Sequence, residues 1–192
     1  MSLVLQVFYS VFSALMLSLA IPNELYLLGC PFYALFAIIP FYYVISKARS
    51  FRNAFWMAFI QTITVHLCSS FWLGFFKDFA AFTLGASALG TGLIGGAFGL
   101  FFYVPYHTKS QKNPLDTYSL SNILRVPSRI LYFAVIYVLY EWYKSIGFLG
   151  YPWGTVSSAV YRWPVLMQIS SITGTYGITF LIILFSALIA EG

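Results

Sequence analysis

Between Ala81 and Val104 the chain runs 24 residues without a charged side chain, and five other predominantly apolar stretches come close to that length. A hydrocarbon layer about 30 Å thick, crossed at a rise of about 1.5 Å per residue, calls for about 20 apolar residues in a helix. Six segments meet that length: 3–21, 25–45, 54–76, 81–104, 130–148 and 172–190. The 192 residues are 60% apolar and 8% charged, against about 25% charged in a soluble domain. In water such a chain would expose apolar surface everywhere. The expected fold is an all-α polytopic membrane protein of about six transmembrane helices, with residues 1–192 forming one transmembrane domain.

The spacing of Lys and Arg predicts orientation. Lys47, Arg49, Arg52, Lys109, Lys112, Arg125 and Arg129 fall on one side of the expected membrane, and Lys77, Lys144 and Arg162 on the other. An excess of basic residues marks the cytoplasmic side, so the amino terminus is expected in the cytoplasm and residues 150–154 outside. The first span has no basic residue before it, which argues against a cleaved signal peptide. The net charge of +5 fits loops facing anionic lipid. No cluster of basic and aromatic residues suggests nucleic acid. Cys30 and Cys68 form no CxxC, and His66 and His107 lie 41 positions apart. Neither a metal nor a cofactor is expected.

Two short motifs imitate functions that their surroundings do not support. Residues 27–30, LLGC, look like a lipoprotein processing site, but an apolar run follows Cys30 where a polar linker would be needed; Cys30 is expected to be a small residue in a packed helix. Residues 90–95, GTGLIG, spell the dinucleotide-binding fingerprint, yet no strand precedes them and the glycines lie inside a continuous apolar run. Ala88, Gly92 and Gly96 fall four apart, as do Ser87, Thr91, Gly95 and Gly99. Such rows of small residues predict close helix packing in lipid.

Glu141 and Lys144 stand inside the apolar run 130–148. A charge at mid-membrane costs roughly 2.5–3.5 kcal/mol. Their spacing places both on one helical face, Lys144 close enough to the outer end to snorkel and Glu141 deeper. Two readings stand: an intrahelical ion pair that eases insertion, or the polar floor of an outward-facing cavity. The following GFLGYPWG, residues 147–154, would end the helix at Gly147 or Gly150, and Tyr151 before Pro152 would be extended. Trp153 is expected at headgroup level. In YRWPVLMQ, residues 161–168, Arg162 is a candidate phosphate contact, because guanidinium pairs bidentately with phosphate oxygens.

These residues carry a resemblance. The segment from Leu139 to Ala190 is similar to the membrane part of bacterial apolipoprotein N-acyltransferases. That family shows a Glu-[Trp/Phe]-x-[Arg/Lys] step, a [Phe/Tyr]-Pro-Trp turn, a Pro-[Leu/Val]-[Leu/Ile]-Gln segment and Gly-x-Tyr-Gly-[Val/Ile]-[Ser/Thr]-Phe-Leu. Here Glu141, Trp142, Lys144, Tyr151, Pro152, Trp153, Pro164, Gln168, Gly174, Tyr176, Gly177, Thr179 and Phe180 match it.

The resemblance implies a multi-pass protein of the bacterial inner membrane. It implies transfer of an acyl chain from a membrane phospholipid to the diacylglyceryl-cysteine of a lipoprotein substrate. The chemistry would run through a thioester on a nitrilase-like domain bearing Glu, Lys and Cys. In the family that domain follows a seventh span, and no cysteine occurs here beyond Cys68. The chain is therefore expected to be a truncated or split form, inactive alone, with no catalytic residue of its own and a separately encoded nitrilase-like half as a possible partner. Its expected substrate-binding residues are Glu141, Lys144, Tyr151, Trp153 and Arg162. The competing expectations are a small transporter or channel using Glu141 as a coupling carboxylate, and a non-catalytic scaffold.

Overall fold

A computed structural model describes residues 1–24, 26–107, 125–146 and 150–192. The described residues form an all-helical bundle: α1 (Leu3–Ala20), α2 (Pro31–Ala37), α3 (Ile39–Ser46), α4 (Phe51–Ser69), α5 (Ala80–His107), α6 (Arg125–Ser145), α7 (Pro164–Met167) and α8 (Ser170–Glu191), with single 3-10 turns between some of them. Among the described residues, three stretches are long and apolar enough to cross a membrane: Leu3–Ala20, Lys77–His107 and Ser170–Glu191. Residues 108–124, between the fourth and fifth expected spans, lie outside the described residues.

Polarity in the bundle is arranged for an apolar solvent. Gln6, Ser13, Gln61, Thr179 and Ser186 are buried, while Val4 and Ile172 are more than four-fifths exposed, at 81% and 88%. Lipid tails are as apolar as leucine, so association rests on close packing and interhelical hydrogen bonds. Aromatic rings fill the centre. Phe133 contacts Tyr42 at 4.7 Å and Phe102 at 4.8 Å between centroids.

The second expected span is broken, a correction to the reading of 25–45 as one helix. Pro31 opens α2 and Pro40 sits in the first turn of α3, with Ile38 between the two helices. A proline inside a helix removes one backbone donor and crowds the preceding turn. Around the break, the Ala37 carbonyl accepts the Ser13 hydroxyl at 2.6 Å and the Leu35 carbonyl accepts the Ser186 hydroxyl at 2.7 Å. Neighbouring helices thus satisfy the backbone, as irregular chain in a membrane requires. Cys30 lies just before α2, not inside a helix as expected.

Pro105 causes a similar repair in α5. It has no N–H for the carbonyl of Phe101, and the Tyr132 hydroxyl of α6 donates to that oxygen at 3.1 Å. The glycines of α5 meet α4. A Cβ on Gly99 would stand 2.6 Å from the Ala58 Cβ and 2.7 Å from the Ala54 carbonyl oxygen, and one on Gly96 would stand 2.8 Å from the Phe55 ring. A Cβ on Gly90, by contrast, would meet nothing. The residues 90–95 are one continuous helix, and Gly92 and Gly95 join Gly96 and Gly99 in a packing seam.

The helices run up and down, which gives the bundle two distinct ends. At one, Arg49 donates to the Met1 carbonyl at 2.8 Å, the Phe51 ring lies 4.7 Å from His107, and the Tyr42 hydroxyl donates to Glu191 at 2.6 Å. At the other lie the end of α4, the loop 150–154 and the start of α8. There α4 stops at Ser69, earlier than the expected Phe76, and two 3-10 turns, Phe71–Phe75 and Lys77–Phe79, follow.

Candidate functional site

The end of α6 is held to the loop after it by the two charged residues. Glu141 is buried to 1% exposure and Lys144 to 7%. One Glu141 oxygen, Oε1, accepts the Val156 backbone N–H at 2.7 Å, and the other, Oε2, accepts the Thr179 hydroxyl of α8 at 2.7 Å. Lys144 Nζ donates to the carbonyls of Trp153 and Gly154, each at 3.4 Å, and lies 5.6 Å from the centre of the Tyr140 ring. The backbone N–H of Tyr151 returns a bond of 2.7 Å to the Lys144 carbonyl. The acid therefore takes a donor from the loop and the base takes its carbonyls. The two side chains have separate partners, so the arrangement is more than an intrahelical ion pair.

Each part has a local cause. Lys144 falls in the last turn of α6, where the helix dipole favours a cation. Gly154 has φ +68°, the left-handed region that side chains with a Cβ avoid, and a Cβ there would stand 3.2 Å from the Ser69 hydroxyl. Gly174 likewise has φ 67° and ψ −178°, which bends the first turn of α8. Beyond the bend, Thr179 is fully buried and points at Glu141. A charge-assisted hydrogen bond contributes about 1.5–3 kcal/mol, and two of them offset much of the cost of burying a carboxylate.

Against the loop lies a cavity of about 510 Å³, with Trp72, Trp153, Tyr161, Ser69, Ser158 and Glu24 in its wall. Trp153 is 63% exposed and meets Trp72 edge to face at 6.5 Å. Of the five residues singled out from the sequence, Trp153 alone lines this cavity. Glu141 and Lys144 lie beneath the loop. Tyr151 is half-buried, its ring 4.6 Å from His66, whose Nε2 is 2.8 Å from the Ser87 hydroxyl. Burial pushes the Tyr151 phenol above its ordinary value, so it stays neutral. Arg162 is exposed in the turn before α7.

Sequence reasoning missed Glu24, Trp72 and Tyr161. Glu24 was visible as the one charge in the first 46 residues, but nothing local tied it to a loop more than a hundred positions away. Among the described residues, no three His, Cys, Asp or Glu side chains gather closely enough to hold a metal ion.

Residues 13–188 match the family described as the apolipoprotein N-acyltransferase N-terminal domain. The chain belongs to that family. It is 40% identical over 184 residues to apolipoprotein N-acyltransferase 2 of Treponema pallidum, an alignment covering 93% of this chain and 29% of the relative. It is 35% identical to apolipoprotein N-acyltransferase 2 of Treponema denticola, over 96% of this chain and 32% of that protein. The apolipoprotein N-acyltransferase of Thermotoga maritima is 29% identical over 96% of this chain and 35% of its own length. No solved structure matches. The chain thus spans about 30% of the length of the two Treponema relatives. Within this family domain, the matched motif residues Glu141 and Lys144 hold backbone groups of residues 153–156, Thr179 fixes Glu141 from α8, and Trp153 stands exposed on the loop.

Proposed function

We propose that this chain is the membrane part of an apolipoprotein N-acyltransferase. It sits in the bacterial inner membrane with its amino terminus in the cytoplasm, and docks the phospholipid donor and the lipoprotein acceptor at the outer leaflet. Six spans cross the membrane, the second of them as the broken pair α2 and α3. The acyl transfer itself belongs to a nitrilase-like domain acting with it.

The observation that carries this reading is the loop 150–154, fixed from below by Glu141 and Lys144, with Trp153 and Trp72 facing a cavity of about 510 Å³. A loop that must meet an amphiphile at a membrane surface needs a rigid backbone and aromatic side chains at headgroup level. In this scheme Glu141 and Lys144 are positioning residues, Trp153 and Tyr161 contact the substrate, and Tyr151 anchors the loop on His66. Arg162 contributes a phosphate contact from the neighbouring turn. A transporter using Glu141 as a coupling carboxylate fits less well, because both of its oxygens are held by fixed partners.

The test is complementation. Coexpression of this chain with a nitrilase-like half in cells depleted of their own enzyme should restore N-acylated lipoprotein, read by mass spectrometry of its amino-terminal peptide. Trp153→Ala should lower the acylated fraction while leaving the amount of protein in the membrane unchanged. Full acylation by the Trp153→Ala protein would remove the cavity from the proposal, and no acylation with any nitrilase-like half would remove the acyltransferase role.

A further inference from the structure

The opposite end of the bundle holds a second polar recess that the docking reading does not use. It has a volume of about 250 Å³, and Lys47, Arg129, Tyr42, Tyr43, Tyr106 and Glu191 stand in its wall. The guanidinium of Arg129 stacks on the Tyr106 ring, 5.1 Å from its centre. Stacking uses the face of the guanidinium and leaves its in-plane N–H groups as donors. One of these reaches the Pro105 carbonyl at 3.4 Å. The Nε of Arg129 and the hydroxyl of Tyr106 are buried with no hydrogen-bond partner among the described residues. Buried donors without partners are uncommon, and each one asks for an acceptor.

Charge decides what that acceptor is. Two cations, Lys47 and Arg129, share the recess with one carboxylate, Glu191, which already accepts the Tyr42 hydroxyl at 2.6 Å. A metal ion or an amine would meet two like charges. A neutral ligand would leave the cations uncompensated. Arg49 and Arg52 at the same end add to the positive field. The geometry points to a phosphate group as the ligand, held by Arg129 and Lys47 with the Tyr106 hydroxyl as a further donor. A phosphate oxygen set accepts planar guanidinium donors and a point ammonium charge together. Two sources share this chemistry, the headgroup of a phospholipid in the adjoining leaflet and free inorganic phosphate.

The experiment uses the purified chain in an uncharged detergent. One arm adds phosphatidylglycerol, or diacylglycerol with the same acyl chains, and counts retained lipid by native mass spectrometry. The other arm titrates inorganic phosphate by calorimetry. Wild type should retain phosphatidylglycerol in preference to diacylglycerol, or bind inorganic phosphate. The first result assigns the headgroup as the source and the second the free ion. Lys47→Gln combined with Arg129→Gln should weaken that binding about tenfold or more, the loss expected from one charge-assisted hydrogen bond. Glu191→Gln, which removes the like charge and keeps an acceptor for Tyr42, should tighten it and serves as the second variant if the double substitution does not fold. Diacylglycerol retained as well as phosphatidylglycerol, with no heat from phosphate, would overturn the proposal. So would binding that neither the double substitution nor Glu191→Gln changes.

Discussion

The seam between α4 and α5 and the clamp beneath the loop 150–154 solve one problem by opposite means. In lipid, burying apolar surface gives no advantage, so elements hold together through close contact or hydrogen bonds. The seam uses contact: Gly92, Gly95, Gly96 and Gly99 let the two helices approach until no side chain fits between them. The clamp uses charge: Glu141 and Lys144 reach across gaps that contact does not fill and bind backbone groups of the loop. A steric seam tolerates no added volume but is indifferent to polarity. A polar clamp tolerates small changes of shape but not the loss of an acceptor.

The largest effect should come from volume. Gly99→Leu would press on the backbone of Ala54, and overpacking of this kind costs about 3 kcal/mol. The monodisperse fraction after detergent extraction should fall sharply; an unchanged fraction would mean that the seam is not a close contact. Gly90→Leu, where a Cβ meets nothing, is the matched control and should extract normally.

The clamp should fail next. Glu141→Leu leaves the Val156 N–H and the Thr179 hydroxyl without an acceptor, at about 1 kcal/mol for each group because a loosened loop lets water reach them. The loop should then loosen, and a cysteine placed at position 153 should react faster with a membrane-impermeant maleimide. Glu141→Gln keeps one acceptor oxygen and should show a smaller increase. If Glu141→Leu and Glu141→Gln label at the wild-type rate, the loop is held by something other than this carboxylate.

Smaller effects sharpen the contrast. Gly174→Ala forces a side chain into a conformation that costs about 1–3 kcal/mol. No neighbour stands within 4 Å of the added methyl, so the cost is conformational alone and should appear as a lowered thermal midpoint with normal labelling at position 153. Tyr132→Phe removes the hydroxyl that serves the Phe101 carbonyl and should cost about 0.6 kcal/mol, the average of interhelical hydrogen bonds in a membrane. A drop as large as that of Gly99→Leu would show that the Pro105 repair matters as much as the seam.

Much of the helical framework was legible from the sequence because it depends on local pattern. The apolar run 81–104 became α5 with nearby ends, and the small-residue rows predicted its packing face. The break between α2 and α3 was legible too, in Pro31 and Pro40, but run length concealed it. A count of apolar residues does not register a missing donor. In the candidate site, the importance of Glu141 and Lys144 followed from the cost of placing charges in an apolar run. Their roles did not. Trp72 and Glu24 were invisible as cavity residues, since each belongs to an unremarkable segment.

The sequence by itself determined that this chain would be helical, that its charges would gather at the helix ends, and that Glu141 would need compensation. Composition, periodicity and the solvation of charge are sufficient for that. Only the tertiary structure decided what compensates it. Val156 lies 15 positions along the chain and Thr179 lies 38. Both reach Glu141 because the loop doubles back and α8 packs beside α6. Hydrogen bonds act over about 3 Å, so partners distant in sequence are chosen by the path of the chain, which no local pattern records.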